Sequence, residues 1–184
     1  NNYPYIRYIA EKGIPIVLAT GMADLVEIQK AVEAVESTGN KNLCLLHCIS
    51  LYPAETRTMQ LNNILGLRVK FPSYPIGFSD HSLGIEMPVA ATALGAGYIE
   101  KHFTLDKKKM GMDNNMAMEP DEFQGMVECC NRVHEAMGGY ERIVSEAELA
   151  QRDKMRRSVV VTADLKKGSV LSEKDLDVKR PGTG

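Results

Sequence analysis

The sequence predicts an α/β fold in which parallel strands alternate with helices, followed by a small β-rich module. Three observations support this prediction. Apolar runs of strand length alternate with segments of helical periodicity as far as Met137. A polar side chain stands at the end of each predicted strand, and the composition becomes polar and helix-prone at residue 145. Four strand–helix units in a row are typical of a parallel sheet covered by helices.

The first two predicted strands are mainly apolar. After a short helix at residues 5–12, the run at 14–20 (IPIVLAT) predicts a strand that is buried on both faces, and residues 43–50 (LCLLHCIS) predict the second strand. Between them, Asp24 and Glu27 have the spacing of a capping box, so a helix is expected to begin there and to end before Gly39.

The second pair of units follows the same pattern. A shorter helix is expected near residues 59–65, before a third strand at 76–81, and the small-residue stretch at 85–97 has the length of a helical crossover to a fourth strand at 98–104. Pro120 then begins the clearest helix, which ends at Gly138. Its predicted apolar stripe consists of Phe123, Met126, Val127, Cys130, Val133, His134 and Met137, and His134 is expected to be partly buried there.

The third and fourth predicted strands each carry one histidine at the carboxyl end. With a side-chain period of two, Ser79 and His81 share a face of the third strand, and Glu100 and His102 share a face of the fourth. Polar residues therefore line a face where a buried strand would be apolar. We expect His81 and His102 to lie side by side at the carboxyl ends of neighbouring strands.

The polar residues at the strand ends favour one α/β architecture over its competitor. These residues are Thr20, Ser50, Ser79, His81 and His102. In a (β/α)₈ TIM barrel all of them converge on one mouth, whereas in a doubly wound sheet only those near the switch point would meet. No G-x-G-x-x-G fingerprint follows a predicted strand. We therefore expect the four units to form the C-terminal half of a barrel.

The chain is predicted to contain two domains, both incomplete. Residues 1–144 are assigned to the half-barrel, 145–157 to a polar linker, and 158–184 to the start of a small β-rich domain. The opening helix lacks a preceding strand and the last residues lie in a loop, so we expect this sequence to be a fragment.

Charge and cysteine usage exclude several functional classes. The 22 Lys and Arg residues nearly balance the 24 Asp and Glu residues, which argues against a nucleic-acid or membrane-surface partner. A cytoplasmic location is expected, because the sequence shows no apolar run of membrane-spanning length and does not open on a charged-then-apolar leader. The four cysteines do not suggest a disulfide framework. Cys44, His47 and Cys48 suggest a zinc site, but on a strand His47 points away from both cysteines, so buried thiols are the better interpretation.

Six motifs occur in order along the chain: ATGM at 19–22, LHC at 46–48 with YP at 52–53, GFSDH at 77–81, ALGA at 93–96, EKHFTLD at 100–106 and EPDEF at 119–123. Together they resemble the motifs of the sialic acid synthase family, which includes N-acetylneuraminate, legionaminate and pseudaminate synthases. The resemblance covers essentially the whole chain, and a seventh stretch, Lys-Arg-Pro-Gly at 179–182, resembles the start of the family's antifreeze-like (SAF) domain.

The resemblance implies an enzyme that condenses phosphoenolpyruvate with an N-acylated hexose such as N-acetylmannosamine, giving a nine-carbon 2-keto sugar acid and phosphate. It also implies that His81 and His102 hold a divalent metal, Mn²⁺ or Mg²⁺. Two neutral imidazoles suit a borderline metal that must also accept a substrate oxygen.

Four further site residues follow from the resemblance. Ser79 is expected to contact phosphoenolpyruvate, and Asp113 is expected to act near the sugar hydroxyls or the aldehyde; both are assigned to catalysis and to substrate binding. Ser50 and Tyr52 are assigned to substrate binding. Residues 114–118 (NNMAM) depart from the common pattern of the family, and this departure leaves the identity of the sugar open.

The resemblance places other parts of the site outside this sequence. The groups that bind the phosphoenolpyruvate anion would come from the first four barrel strands, and a domain-swapped homodimer is implied, so this fragment alone is expected to be inactive. Two alternatives remain. One is another metal-dependent, phosphoenolpyruvate-using synthase or aldolase on a TIM barrel, and the other is a non-catalytic sugar-binding module.

Overall fold

The structure, a computed structural model, describes residues 1–180 and divides the chain into two compact units, the first spanning Asn1–Gly138 and the second beginning at Gly139. Pro181 and Gly182, two residues of the predicted SAF motif, lie outside the described residues. The elements of the first unit are α1 (Tyr3–Ala10), β1 (Ile16–Ala19), α2 (Leu25–Glu36), β2 (Leu43–Cys48), α3 (Asn63–Lys70), β3 (Ile76–Asp80), α4 (Glu86–Ala93), β4 (Ile99–Lys101) and α5 (Pro120–Met137).

The four strands of the first unit form one parallel sheet in the order β1-β2-β3-β4. Each of β2, β3 and β4 therefore pairs with the strand before it in the chain, and a helix follows each of the four strands. A doubly wound sheet reverses its strand order at a switch point, and no such reversal occurs among these four strands. The predicted alternation of parallel strands and helices is confirmed.

One face of the sheet packs against the helices and forms the core. Leu45 and Phe78 lie on this face and are fully buried, together with Val35 of α2 and Ile64 of α3. The prediction that the first strand is buried on both faces is wrong. Val17 is 44% exposed on the opposite face because β1 is an edge strand and the helices cover only its other side.

The strands are shorter than predicted at their carboxyl ends. β3 ends at Asp80 and β4 ends at Lys101, so each histidine follows its strand directly. Beyond β4 the chain pairs with itself: the Met118 amide donates to the His102 carbonyl (2.8 Å), and the Thr104 amide donates to the Met118 carbonyl (2.9 Å). Pairing of β4 with β3 ends at Lys101, and these two bonds take its place. They close the base of the loop at residues 105–117.

Helix α5 has the bounds that the sequence predicts. Pro120 occupies its first turn, and Glu119 and Glu122 form a reciprocal capping box. The predicted stripe is buried only near its beginning, where Met126 is 2% exposed. The prediction for His134 is wrong: this histidine is exposed, because the described part of the chain packs against the first turns of α5 and leaves its last turns open.

The second unit contains a helix and a two-stranded sheet. Helix α6 (Glu146–Met155) lies in the segment that was assigned to the linker. Strands β5 (Ser158–Val161) and β6 (Leu176–Lys179) pair antiparallel, as expected for the start of a β-rich module. Among residues 1–180, no helix combines the length and the apolar character needed to cross a membrane.

The His47 side chain is predicted to make the stability of the fold depend on pH. Burial lowers the pKa of this imidazole, and the hydrogen bond to the Met59 carbonyl only partly opposes the effect. The unfolded chain then binds more protons than the folded chain below pH about 6.5, so the free energy of unfolding should fall as the pH drops through this value.

The measurement is urea unfolding of the natural protein that carries this sequence, at intervals between pH 8 and pH 5. His47→Gln keeps a donor for Met59 but does not titrate, so its unfolding free energy should depend less on pH. Equal slopes for the two proteins would contradict the prediction.

Candidate functional site

Two histidine side chains meet at the carboxyl ends of β3 and β4. The ring centroids of His81 and His102 are 5.2 Å apart and the rings are nearly perpendicular, at 84°. His81 is 5% exposed, whereas the side chain of His102 is 29% exposed. The predicted juxtaposition of the two imidazoles is therefore present, with one ring buried and the other at the surface of the site.

The backbone selects the tautomer of His81. Its Nδ1 lies 2.8 Å from the carbonyl oxygen of Ile49, which can only accept a hydrogen bond, so Nδ1 carries the proton. In the neutral ring, the lone pair is then on Nε2. The Ala54 amide also donates to the His81 carbonyl (2.9 Å), which fixes the backbone of this residue. A neutral imidazole held by a carbonyl at one nitrogen is the usual arrangement of a metal ligand.

Tyr52 and Asp113 flank the two imidazoles. The Tyr52 ring lies 4.3 Å from the His81 ring and 5.8 Å from the His102 ring, measured between centroids. Asp113 Oδ2 is 3.8 Å from His102 Nδ1, which is too long for a hydrogen bond. Tyr52 is 52% exposed and the Asp113 side chain 40% exposed, so both can contact a small molecule at the mouth of the site.

Ser79 and Glu100 lie beside the histidines on the same face of the sheet. They are register partners across β3 and β4, and the Ser79 hydroxyl donates to Glu100 Oε1 at 2.7 Å. Ser79 is only 1% exposed. Sequence reasoning placed Glu100 on this face but not among the site residues. Glu100 could have been recognised as a site residue, because it is a polar side chain two positions before His102 and therefore lies on the same face of β4.

Ser50 and Thr20 differ in their availability to a ligand. The Ser50 Oγ lies 3.8 Å from Cys48 Sγ, which in turn lies 4.0 Å from His81 Nδ1, so Ser50 borders the site. The Thr20 hydroxyl instead donates to the Leu46 carbonyl at 2.8 Å. Thr20 therefore secures the end of β1 against β2 and does not face the histidines.

The zinc alternative at β2 is not supported by the structure. His47 Nε2 donates to the Met59 carbonyl at 2.7 Å and its ring stacks on Phe78 in the helix-covered core, away from Cys48. Burial raises the pKa of the Cys44 thiol, so this cysteine remains protonated at neutral pH. Within residues 1–180, no group of three or more His, Cys, Asp or Glu side chains could enclose a metal ion. The donor set that exists is the imidazole pair, which fits a metal with several open positions.

The site occurs in a chain with recognisable relatives. Residues 1–142 match the NeuB family and residues 156–184 match the SAF domain. The N,N'-diacetyllegionaminic acid synthase of Legionella pneumophila is 40% identical over 100% of this chain and 52% of that protein. Human N-acetylneuraminate-9-phosphate synthase is 36% identical over 97% of this chain and 50% of that protein.

A solved structure shares the fold. The N-acetylneuraminic acid (sialic acid) synthetase of Leptospira borgpetersenii superposes with a TM-score of 0.75 and 33% identity, covering 84% of this chain and 54% of that one. The chain thus spans about half the length of the relatives it matches. The family resemblance of the six motifs is confirmed, and the chain belongs to the NeuB family of sialic acid synthases.

Proposed function

We propose that the protein containing this chain condenses phosphoenolpyruvate with an N-acylated hexose. Together with one water molecule, the two substrates would give a nine-carbon 2-keto sugar acid and inorganic phosphate. The observation that carries the proposal is the imidazole pair, 5.2 Å apart at adjacent strand ends in a chain of this family. The names of the relatives, which include legionaminic acid and N-acetylneuraminate-9-phosphate synthases, support the same class of product.

The proposed fold of the whole catalytic domain is a (β/α)₈ barrel of which this chain supplies the last four units. The sequential parallel order of β1 to β4 supports this proposal, since barrel strands pair in chain order. The first four units would provide the cationic groups that bind the phosphoenolpyruvate anion. A domain-swapped homodimer, in which the SAF domain of one subunit reaches the other, is part of the same proposal.

His81 and His102 are the proposed ligands of a divalent cation, Mn²⁺ or Mg²⁺. When bound, such a cation would polarise the aldehyde oxygen of the sugar for attack by the enol carbon. His81 would use Nε2, because Nδ1 is occupied by the Ile49 carbonyl. Imidazole nitrogens suit Mn²⁺ better than Mg²⁺, which prefers oxygen ligands.

The other residues have proposed roles that follow from their positions. Ser79 contacts phosphoenolpyruvate, and Glu100, which accepts the Ser79 hydrogen bond, fixes the orientation of this hydroxyl. Tyr52 packs beside both imidazoles and excludes water from one side of the sugar. Asp113 orients the sugar or exchanges a proton with it, and Ser50 contacts a substrate at the border of the site.

The test is an assay of phosphate release by the natural protein that carries this sequence, with phosphoenolpyruvate, Mn²⁺ and a panel of N-acylated hexoses that includes N-acetylmannosamine. We expect phosphate and the 2-keto sugar acid in equal amounts with at least one sugar. Consumption of pyruvate in place of phosphoenolpyruvate would identify an aldolase, and sugar binding without turnover would identify a binding module.

Gly21→Ala is predicted to reduce activity through Ser50. A methyl group at residue 21 would overlap Ser50 Oγ and would lie 3.0 Å from Cys48 Sγ, so the Ser50 hydroxyl must move. Displacement of a substrate contact should lower kcat/KM by about tenfold or more. Gly125→Ala is the control, because a methyl group there meets no atom within 4 Å. Equal kcat/KM for both variants would contradict the prediction.

The isolated 184-residue chain is predicted to associate and to lack synthase activity. β1 and β4 form the two edges of its sheet, and closure into a barrel is what would pair them. Sedimentation velocity should therefore detect oligomers or aggregates. A stable monomer that turns over substrate would contradict the half-barrel proposal.

A further inference from the structure

A buried ion pair lies directly behind the two histidines. Lys101 Nζ is 2.5 Å from Asp80 Oδ2, and the side chains of Lys101 and Asp80 are only 1% and 0% exposed. Each of the two residues immediately precedes a histidine, Asp80 before His81 and Lys101 before His102. Since side chains alternate along a strand, the ion pair lies on the helix-covered face of the sheet and the substrate face is on the other side.

The ion pair connects the two strands where their backbone pairing stops. Asp80 and Lys101 are the last register partners of β3 and β4, so the histidines lie one residue beyond the ladder. Lys101 Nζ also donates to the Ser82 carbonyl at 2.7 Å, and the Ser82 amide donates to Asp80 Oδ1 at 2.8 Å. These bonds join β4 to the turn after β3 and enclose His81 between two fixed residues.

Stability alone does not explain why charges are placed here. Removing a carboxylate and an ammonium group from water is costly, and an apolar pair of similar volume is often equally stable or more stable. Unlike apolar packing, the hydrogen bonds among Asp80, Ser82 and Lys101 are directional, so they define the distance and the orientation of the two backbone segments that they join. At this position, the segments concerned are those that carry the two imidazoles.

We propose that Asp80 and Lys101 are positioning residues that set the spacing and orientation of the His81 and His102 imidazoles for metal binding. This inference rests on the proposed metal site. Neither side chain contacts a substrate, because both are enclosed on the far side of the sheet. The pair acts through the backbone of the two histidines and through Ser82.

The test uses a double variant, Asp80→Leu with Lys101→Met, in the natural protein that carries this sequence. Removing both charges together leaves no unpaired charge in the core, so the fold should be retained. The dissociation constant of Mn²⁺ alone, measured from the electron paramagnetic resonance signal of free Mn²⁺, should rise about 10- to 100-fold, the usual effect of losing an outer-shell partner. A melting temperature close to that of the parent protein separates this effect from unfolding.

Two further variants make the test decisive. Asp80→Asn preserves the volume of the side chain and keeps an oxygen that can accept a hydrogen bond from Lys101 Nζ, so this ammonium group still has a partner. It should weaken Mn²⁺ binding about tenfold and serves if the double variant does not fold. Lys107→Met is the control: Lys107 Nζ is also 2.5 Å from a carboxylate, that of Glu122, but this pair is partly exposed and neither of its residues adjoins a histidine of the site. Its Mn²⁺ affinity should equal that of the parent protein.

The outcomes distinguish this inference from the metal site on which it rests. If His81→Ala loses Mn²⁺ binding while the folded double variant or Asp80→Asn binds Mn²⁺ as the parent does, the positioning role is overturned and the metal site stands. If His81→Ala binds Mn²⁺ normally, the proposed metal site itself is wrong.

Discussion

Replacing His81 or His102 with alanine is expected to lower kcat/KM by about 10³-fold or more, because a metal that polarises a carbonyl contributes several kcal/mol to the reaction. The melting temperature should stay close to that of the parent protein, since His102 lies at the surface of the site and neither ring belongs to the helix-covered core. Steady-state kinetics of the natural protein, with metal content measured on the same samples, checks both statements.

His134→Ala is the matched control for these variants. It removes a histidine that is exposed on α5 and has no proposed role, so its kcat/KM and metal content should equal those of the parent protein. Full turnover by His81→Ala in the presence of a chelator would rule out the assignment of both histidines.

Asp113→Asn is expected to lower kcat by about 10²-fold, which is the scale of a lost general acid or base. The KM for phosphoenolpyruvate should remain nearly unchanged, because Asp113 lies on the His102 side of the site and Ser79 provides the proposed contact to that substrate. Asp121→Asn, an exposed aspartate in the first turn of α5, should leave kcat at the parent value. A loss of less than threefold for Asp113→Asn would favour a solvated loop acid without a catalytic role.

Local patterns were sufficient to predict most of the elements and the position of the histidines. Pro120 and the capping box determine where α5 begins, and both are visible in consecutive residues. The two-residue period of a strand places Ser79 with His81 and Glu100 with His102. Because parallel strands end at the same edge of a sheet, the four side chains could be expected to meet.

Features that depend on distant contacts could not be predicted. From the sequence, Thr20 was expected to face the mouth of the site with the other residues at the strand ends. The register of β1 with β2 instead brings its hydroxyl to the Leu46 carbonyl. The exposure of Val17 and of His134 depends on which elements cover β1 and α5, and no local pattern encodes this. The pairing of Asp80 with Lys101 likewise requires the register of β3 with β4, which is set by packing of the whole sheet.

The hydrogen bonds at the base of the loop at residues 105–117 allow the loop to change without moving His102. The bonds between Met118 and the backbone of His102 and Thr104 hold the ends of the loop, whatever residues lie between them. Lengthening such a loop costs little free energy, because closure entropy grows only slowly with length. Asp113 and residues 114–117 lie in this loop, whereas His102 lies outside it. With the proposed function, an evolving enzyme could change which sugar it accepts by altering the loop while the two histidines stay in place.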